Sequence, residues 1–255
     1  MEIKLYLIPP LMLVYITSSR EKAGIIMLSD AEIKKTKYLL SLRENHFNEG
    51  IRNLDFTGVD LGGVDLHGMQ IVNVKFDNAI LDNANLYDSQ LIGCSFNGTS
   101  FRRSIMRKSD IIDCVFNEAS LSQADLSESK LYKLTLTESD LHLVKLIGAK
   151  IIDCTFKGCN MLSSNVSQSS ITGSVFDSSD MQHVNGERSY ITNTTFDNIR
   201  MEHTSLNYAV LYDNRFQNVT TDNMLLVETR LDTGSDLFRK ARTVDLKNIS
   251  KENGQ

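Results

Sequence analysis

Proline is almost absent from this chain. Of its 255 residues only Pro9 and Pro10 are proline, and both lie before the part of the sequence that repeats. Proline lacks the backbone N–H that a strand ladder needs, so residues 51–231 can keep every ladder donor. No stretch in that region has the composition of a linker. The sequence therefore predicts one unbroken hydrogen-bonded unit there.

Catalytic signatures are also lacking. The sequence contains no G-x-S-x-G, Walker A, H-E-x-x-H or G-x-G-x-x-G motif. The serines between Ser163 and Ser170 have no matched base and are typical of turn and ladder positions. We expect no enzyme and no cofactor.

Strong charge of either sign is missing as well, since the formal net charge is −5 at pH 7. One basic cluster, Arg102, Arg103, Arg107 and Lys108, interrupts a mildly acidic chain. Such a cluster does not offset the acidic remainder, so direct binding to nucleic acid is not expected. Two interpretations stay open for it, a solvated corner and a docking patch for an acidic partner.

A large apolar residue recurs every fifth position from Phe56 to Leu231, with Gly186 and Thr221 as the two breaks. We call these positions the beat. A period of five fits neither the 3.6 of a helix nor the 2 of a strand. Leucine-rich repeats and β-helices with longer rungs keep no strict five. The repeat therefore predicts a solenoid of its own kind.

A second period of twenty overlies the first, which indicates coils with four sides. Beat residues twenty apart are of the same kind, and Leu136 fills the one gap in the phenylalanine series. The phenylalanines that we expect in the core are Phe56, Phe76, Phe96, Phe116, Phe156, Phe176, Phe196 and Phe216. About nine such coils, stacked at roughly 4.8 Å, would form a rod on the order of 43 Å long.

A small side chain two places before the beat, as at Ala79, Ser89 and Thr99, completes the inward pattern. The four cysteines, Cys94, Cys114, Cys154 and Cys159, all occupy this position. We expect buried free thiols rather than a metal site, because zinc sites need C-x-x-C or His-rich spacing.

Three stretches, Ala84-Asn85-Leu86, Ala124-Asp125-Leu126 and Ser139-Asp140-Leu141, match the motif A-(D/N)-L-x-x. The chain here resembles the bacterial pentapeptide-repeat family over roughly residues 51–235. The resemblance implies an all-β solenoid, a right-handed quadrilateral β-helix. In that family, dimerisation through the C-terminal end occurs in the topoisomerase-binding branch.

The two ends differ from the repeats. Residues 1–28 are an apolar leader: its run from Ile3 to Ile16 is too short and too proline-broken for a membrane span of about 20 residues. It lacks a convincing signal cleavage site, and translation from Met27 is the other interpretation. Residues 29–50 open with a capping box, Ser29 and Glu32, which predicts a short N-terminal capping helix. Residues 232–255 predict a polar C-terminal cap or tail, helical near 237–244, and a homodimer through that end stays open.

Two further features are candidate sites. His183 and His203 stand twenty apart and so stack on adjacent coils, but two histidines with Glu202 nearby are an incomplete zinc set, and we expect a solvated ladder. Gly186 predicts a bulge that pushes Glu187 and Arg188 outward, or else a tolerated imperfection. The candidate interaction residues are therefore Arg102, Arg103, Arg107, Lys108, His183, Glu187, Arg188 and His203.

These observations favour a non-catalytic scaffold for an unidentified protein partner. The resemblance implies two variants: a bacterial effector-type scaffold, and a DNA mimic that binds DNA gyrase or topoisomerase IV and protects it from quinolones or toxins. We expect the bacterial cytoplasm, with secretion or delivery into a host cell as the alternative.

Overall fold

The computed structural model describes residues 50–231 and five short strands outside that range. The chain divides into two units, residues 1–47 and 48–255. The strands, in chain order, are β1 (Lys4–Ile8), β2 (Met12–Ile16), β3 (Gly24–Ile26), β4 (Ile51–Arg52), β5 (Gln70–Val72), β6 (Gln90–Ile92), β7 (Asp110–Ile112), β8 (Val115–Asn117), β9 (Lys130–Tyr132), β10 (Thr135–Thr137), β11 (Lys150–Ile152), β12 (Thr155–Lys157), β13 (Ser170–Thr172), β14 (Val175–Asp177), β15 (Tyr190–Thr192), β16 (Thr195–Asp197), β17 (Val210–Tyr212), β18 (Arg215–Gln217), β19 (Met224–Leu225), β20 (Arg230–Leu231), β21 (Val244–Asp245) and β22 (Ser250–Lys251).

Residues 51–231 wind through nine coils of twenty residues, and successive coils pair in parallel with a register of twenty. The predicted β-solenoid is confirmed. Within the described residues no helix occurs, and none therefore has the length and apolar character to cross a membrane.

The coil has four sides, which we number by their beat residues. The first side contains every twentieth residue from Ile51 to Leu231 and forms an eleven-stranded parallel sheet from β4 to β22. The second side, from Phe56 to Phe216, forms a six-stranded parallel sheet from β8 to β18. The third side begins at Leu61 and the fourth at Leu66. Both are held mostly by single bridges between coils.

Backbone hydrogen bonds join each coil to the next, which explains why proline is excluded. The Phe76 N–H donates to the Ser95 carbonyl at 2.8 Å, and the Asn78 N–H donates to the Asn97 carbonyl at 2.7 Å. In the opposite direction the Lys75 N–H donates to the Leu54 carbonyl at 2.9 Å. A proline at any of these donors would remove a ladder bond.

The corners all turn through a left-handed residue. The residue two places after the beat has φ between 50° and 68° at every corner from 53 to 228. Glycine adopts this conformation without a steric cost and asparagine with a small one, as at Gly98 and Asn78. Where the corner is a β-turn, a bond such as Ala79 N–H to the Phe76 carbonyl, 2.9 Å, closes it.

The Asp or Asn of the sequence motif also forms a hydrogen bond within its own corner. The Asp60 carboxylate accepts the Gly62 N–H at 2.9 Å, and the Asp125 carboxylate accepts the Ser127 N–H at 3.0 Å. Asp and Asn side chains commonly bond their own backbone two residues on. Many of the acidic residues are therefore part of the corner structure.

The core is a column of inward beat residues. Stacked phenylalanine rings fill the second side, with centroid separations from 4.7 Å for Phe156–Phe176 to 5.5 Å for Phe56–Phe76. Leu136, 3% exposed, separates the two stacks. All eight predicted core phenylalanines are buried, as expected.

From Val74 onward the position two before the beat is buried, except at Asn214, but it is not always small. Its hydroxyls donate to backbone carbonyls, as Thr99 does to Phe76 at 2.6 Å. Larger residues, among them Leu134, Ile199 and Met224, also occupy it. The four cysteines are free and buried there, as predicted.

The two breaks in the beat are accommodated without a bulge, so the predicted detour at Gly186 is wrong. The Gly186 N–H donates to the Ser205 carbonyl at 2.7 Å, and the flanking strands keep their register of twenty. The space that a leucine would occupy is filled from the next coil, because a Cβ on Gly186 would lie 2.7 Å from Leu206 Cδ2. At the second break, buried Met224 supplies bulk in the same coil as Thr221.

We expect Gly186→Leu to destabilise the protein by about 1–3 kcal/mol, the usual cost of overpacking. The apolar cavity between Val166, Met181 and Leu206 holds about 10 Å³, too little for an added isobutyl group. Guanidinium unfolding followed by circular dichroism measures the change. Adding Leu206→Ala to the same chain should restore part of the loss, whereas a stabilised single variant would contradict this packing.

At the two ends the structure describes strands only. β1, β2 and β3 form an antiparallel sheet within residues 1–28, with Lys4 opposite Ile16 and Leu13 opposite Ile26. The capping helix expected at 29–50 falls outside the described residues, save position 50, which is not helical. In the predicted tail, Val244 lies in strand β21 rather than in a helix, and β21 and β22 continue the register of twenty from β19 and β20.

Candidate interaction surfaces

The basic cluster lies on one coil, on the third and fourth sides. Arg102 and Arg103 follow the beat residue Phe101, and Arg107 and Lys108 follow Met106. In each pair the second residue is the left-handed corner, so its side chain projects at the edge of the rod. The structure thus places the two pairs on neighbouring sides of the same coil.

Half of that cluster is neutralised by the coil that follows. Arg107 pairs with Glu128 at 2.6 Å, and Lys108 approaches the same carboxylate at 3.8 Å. The hydrogen bond to Glu128 raises the pKa of Arg107, and interaction with Tyr87, whose ring centroid is 5.8 Å away, raises the pKa of Lys108. Both cations are thus fixed in charge and in part already paired.

The other half has no acidic side chain as an ion-pair partner among the described residues. Arg103 donates from Nε to Gln123 Oε1 at 3.2 Å, and Arg102 donates from Nε to Ser120 Oγ at 3.4 Å. These bonds use one donor of each guanidinium, which has five. The two side chains line an open groove of about 280 Å³ whose other walls are Asp82, Asn83, Ser122 and Gln123.

The residues after Gly186 take part in side-chain ladders between coils. Glu187 accepts hydrogen bonds from Ser205 Oγ at 3.0 Å and Asn207 Nδ2 at 3.4 Å. The Arg188 guanidinium lies over the Tyr208 ring, 5.6 Å from its centroid. Both are on the surface as expected, but regular ladder positions place them there.

His183 and His203 stack face to face, with ring centroids 4.8 Å apart and planes 3° from parallel. The predicted ladder is therefore present. In the described part of the chain no group of three or more His, Cys, Asp or Glu side chains is placed to hold a metal ion.

The eight candidate residues lie along the same two sides of the rod but do not come together at one point. All lie on the third and fourth sides, but the coil of Arg102 and the coil of His183 are four levels apart, roughly 19 Å at 4.8 Å per coil. A catalytic site needs groups within hydrogen-bond reach of one substrate. An elongated partner, by contrast, can contact several coils along the same two sides.

One surface feature was missed in the sequence. On the first side, the strand residue one place after the beat is apolar and at least partly exposed in five consecutive coils. These residues are Val72, Ile92, Ile112, Tyr132 and Ile152. The signal in the sequence is an apolar residue one place after the beat that recurs every twenty residues.

Two family descriptions match the chain. The description "Pentapeptide repeats (8 copies)" matches residues 70–107 and 104–142, and "Pentapeptide repeat region" matches residues 149–226. Together the matches cover more than half of the chain. No curated protein sequence is similar enough to be matched.

Solved structures similar to the chain include HetL, a pentapeptide-repeat protein involved in heterocyst differentiation regulation in the cyanobacterium Nostoc sp. strain PCC 7120. It is 16% identical, with 79% of this chain and 94% of HetL covered and a TM-score of 0.37. QnrB1, a plasmid-mediated fluoroquinolone resistance protein, is 17% identical, with 68% and 94% covered and a TM-score of 0.40. Rfr23 from the cyanobacterium Cyanothece 51142 is 15% identical, with 76% and 99% covered and a TM-score of 0.17. At these values the likenesses carry no conclusion about function.

Proposed function

Because this chain belongs to the pentapeptide-repeat family, we propose that it is a non-catalytic scaffold that binds another protein along its third and fourth sides. The docking residues are Arg102 and Arg103, with the aligned surface of His183, Glu187, Arg188 and His203 further along the rod. Arg107 and Lys108 flank the docking residues and are held by Glu128. The partner presents an acidic segment to the groove.

The observation that carries this proposal is the pair of guanidinium groups at the groove. Arg102 and Arg103 keep most of their donors free of acidic side chains in the described region, although acids lie in the coils on either side. Arginine is favoured at protein interfaces because its planar fork can bind a carboxylate with two bonds. A rigid rod also loses little conformational freedom on binding.

Capture from bacterial and host-cell lysates on the immobilised full chain tests the proposal. A true partner should be retained by the wild-type chain and reduced roughly tenfold, about 1.4 kcal/mol, on a chain carrying Arg102→Glu and Arg103→Glu. Added salt should weaken its retention, because these charges are exposed.

The matched control carries Lys75→Glu and Lys157→Glu. It makes the same change in net charge on the second side, where both lysines are exposed. A partner that binds both double variants equally well, or no protein retained beyond an unrelated bait, would overturn the proposal.

The alternative is a DNA mimic that binds DNA gyrase or topoisomerase IV. Acidic residues near both ends of the rod support it, but Asp60 and Asp180 already accept backbone N–H groups, and the arginine pair interrupts the acidic surface. A gyrase supercoiling assay at micromolar protein tests this alternative. If the protein neither inhibits gyrase nor protects it, the alternative is removed.

We further propose that the protein acts in the bacterial cytoplasm. The buried free thiols support a reducing compartment. Secretion or delivery into a host cell, as for an effector-type scaffold, is the alternative, and detection of the native protein in culture supernatant or host cytosol would establish it.

A further inference from the structure

The outer face of the eleven-stranded sheet is apolar at one of its two outward positions over five successive coils. In each three-residue strand the middle residue points into the core and the other two point outward. Parallel sheets are rarely left open to water, and strands covered on both faces read as apolar runs. In β6, β7 and β11, with sequences QLI, DII and KII, the last two residues are apolar and only the first is polar.

The apolar row Val72, Ile92, Ile112, Tyr132 and Ile152 is continuous over five coils; Ile152 is exposed and the other four are half-buried. Its members pair directly in register, and Ile152 is 37% exposed. At roughly 4.8 Å per coil the row is about 19 Å long. Since every residue from 51 to 231 belongs to a coil, none of them lies over this face. Contiguous apolar surface of this kind marks an interaction site.

Charged residues flank the row on both sides at the levels of β7 and β9, acidic at β7 and basic at β9, and on the first edge Lys150 follows at β11. On one edge Asp110 precedes Lys130, and these two already pair at 3.0 Å. On the other edge the corner residue Asp113 precedes Lys133 by one coil. The row is thus bordered by two acid–base pairs at the levels of β7 and β9.

This arrangement is complementary to itself. We propose that two copies of the chain associate through the outer face of the eleven-stranded sheet, with the rods antiparallel and a two-fold axis midway between the levels of β7 and β9. The axis brings Asp110 opposite Lys130 of the second copy and Asp113 opposite its Lys133. In the row itself, Ile112 meets Tyr132 of the second copy.

Two other arrangements set like charges against each other. An antiparallel axis at the level of β9 sets Lys130 against Lys130 of the second copy and Asp113 against its Asp153. Rods packed in parallel set Asp110 against Asp113 and Lys130 against Lys133. Like charges facing each other across an interface oppose association. The antiparallel register between β7 and β9 therefore satisfies both edges.

The size of the face predicts a weak dimer. Eight overlapping coil levels at roughly 4.8 Å, and a width of about 10 Å for three residues, give on the order of 400 Å² per copy. The two copies together would bury about 800 Å², which is at the low end for specific interfaces, where association is transient. Dimerisation in the micromolar range is expected, and it is independent of the lysate partner proposed above.

Sedimentation velocity of the full chain, from low micromolar to several hundred micromolar, tests the dimer. The wild-type chain, 28.7 kDa as a monomer, should shift toward twice that mass. Ile112→Asp should keep it monomeric, while Val175→Asp, which alters an exposed valine on the second side, should not. A wild-type chain that stays monomeric throughout would overturn the proposal, including the case in which its own residues 1–49 cover the face.

Charge exchange tests the register. A chain with Asp110→Lys and Asp113→Lys and a chain with Lys130→Asp and Lys133→Asp should each be monomeric, because like charges then meet. Their equimolar mixture should dimerise, because opposite charges meet across the axis. Circular dichroism confirms that each chain is folded. A wild-type dimer without complementation in the mixture would show that another surface makes it.

Discussion

Phe176→Ala should destabilise the protein by about 3–5 kcal/mol, the range for removing a buried aromatic ring. Phe176 is 1% exposed and lies between two parallel rings, with centroids 4.7 Å from Phe156 and 5.1 Å from Phe196. Its own coil also contains Gly186 at the beat, where Leu206 of the next coil already fills the space and so cannot also move into the hole left by the ring. We expect a value in the upper part of the range, because little material is available to fill the hole.

Guanidinium unfolding, together with hydrogen exchange resolved by peptide, measures this effect. In a solenoid each coil contacts only its neighbours, so the increase in exchange should be largest in the changed coil and the two beside it. Val175→Ala, one residue away and 37% exposed, is the matched control and should change stability by less than about 0.5 kcal/mol. If Phe176→Ala cost no more than the control, the ring stack would not be the stabilising core.

The sequence predicted the coil well because the determinant is periodic. A five-residue beat leaves one inward large residue per side, and it identified the phenylalanine column and the buried cysteines without any knowledge of distances. How the space beside Gly186 is filled could not be predicted from the period. It depends on which neighbouring rotamer, here that of Leu206, turns into the space.

The candidate surface was predicted only in part for a related reason. The period places Arg107 and Glu128 one coil apart, but whether they pair depends on how two long side chains extend from their corners. The apolar row of the first side follows from the same period read one residue later. The sequence does not predict it, because a single outward apolar residue indicates an apolar patch only once the sheet face that it shares with others is known.

The stability of the protein should also fall steeply between about pH 8.5 and pH 11, and two cysteines account for much of the fall. Burial raises the pKa of Cys154 and of Cys159 to about 11. An unfolded thiol ionises near pH 8.5. Above that value the unfolded state loses protons that the folded state keeps, so the free energy of unfolding decreases as the pH rises.

The size of the effect follows from the shift. Each pKa unit corresponds to about 1.4 kcal/mol, so each thiol contributes about 3.5 kcal/mol that is present below pH 8.5 and mostly lost by about pH 11. The two together should therefore remove up to about 7 kcal/mol. The Cys94–Cys114 pair is left out of this sum, because the hydrogen bond between the two thiols raises the pKa of Cys114 and lowers that of Cys94.

A chain carrying Cys154→Ala and Cys159→Ala isolates this contribution from the titration of lysine and tyrosine. Alanine already occupies the equivalent inward position at Ala119 and Ala149, so the variant should fold. Unfolding free energies of both chains, measured in guanidinium at pH 7.5 and at intervals up to pH 10.5, should converge as the pH rises, because only the wild-type chain loses the thiol contribution. Parallel curves would mean that the two thiols ionise as easily in the folded chain as in the unfolded one, and the inward position would then be open to water.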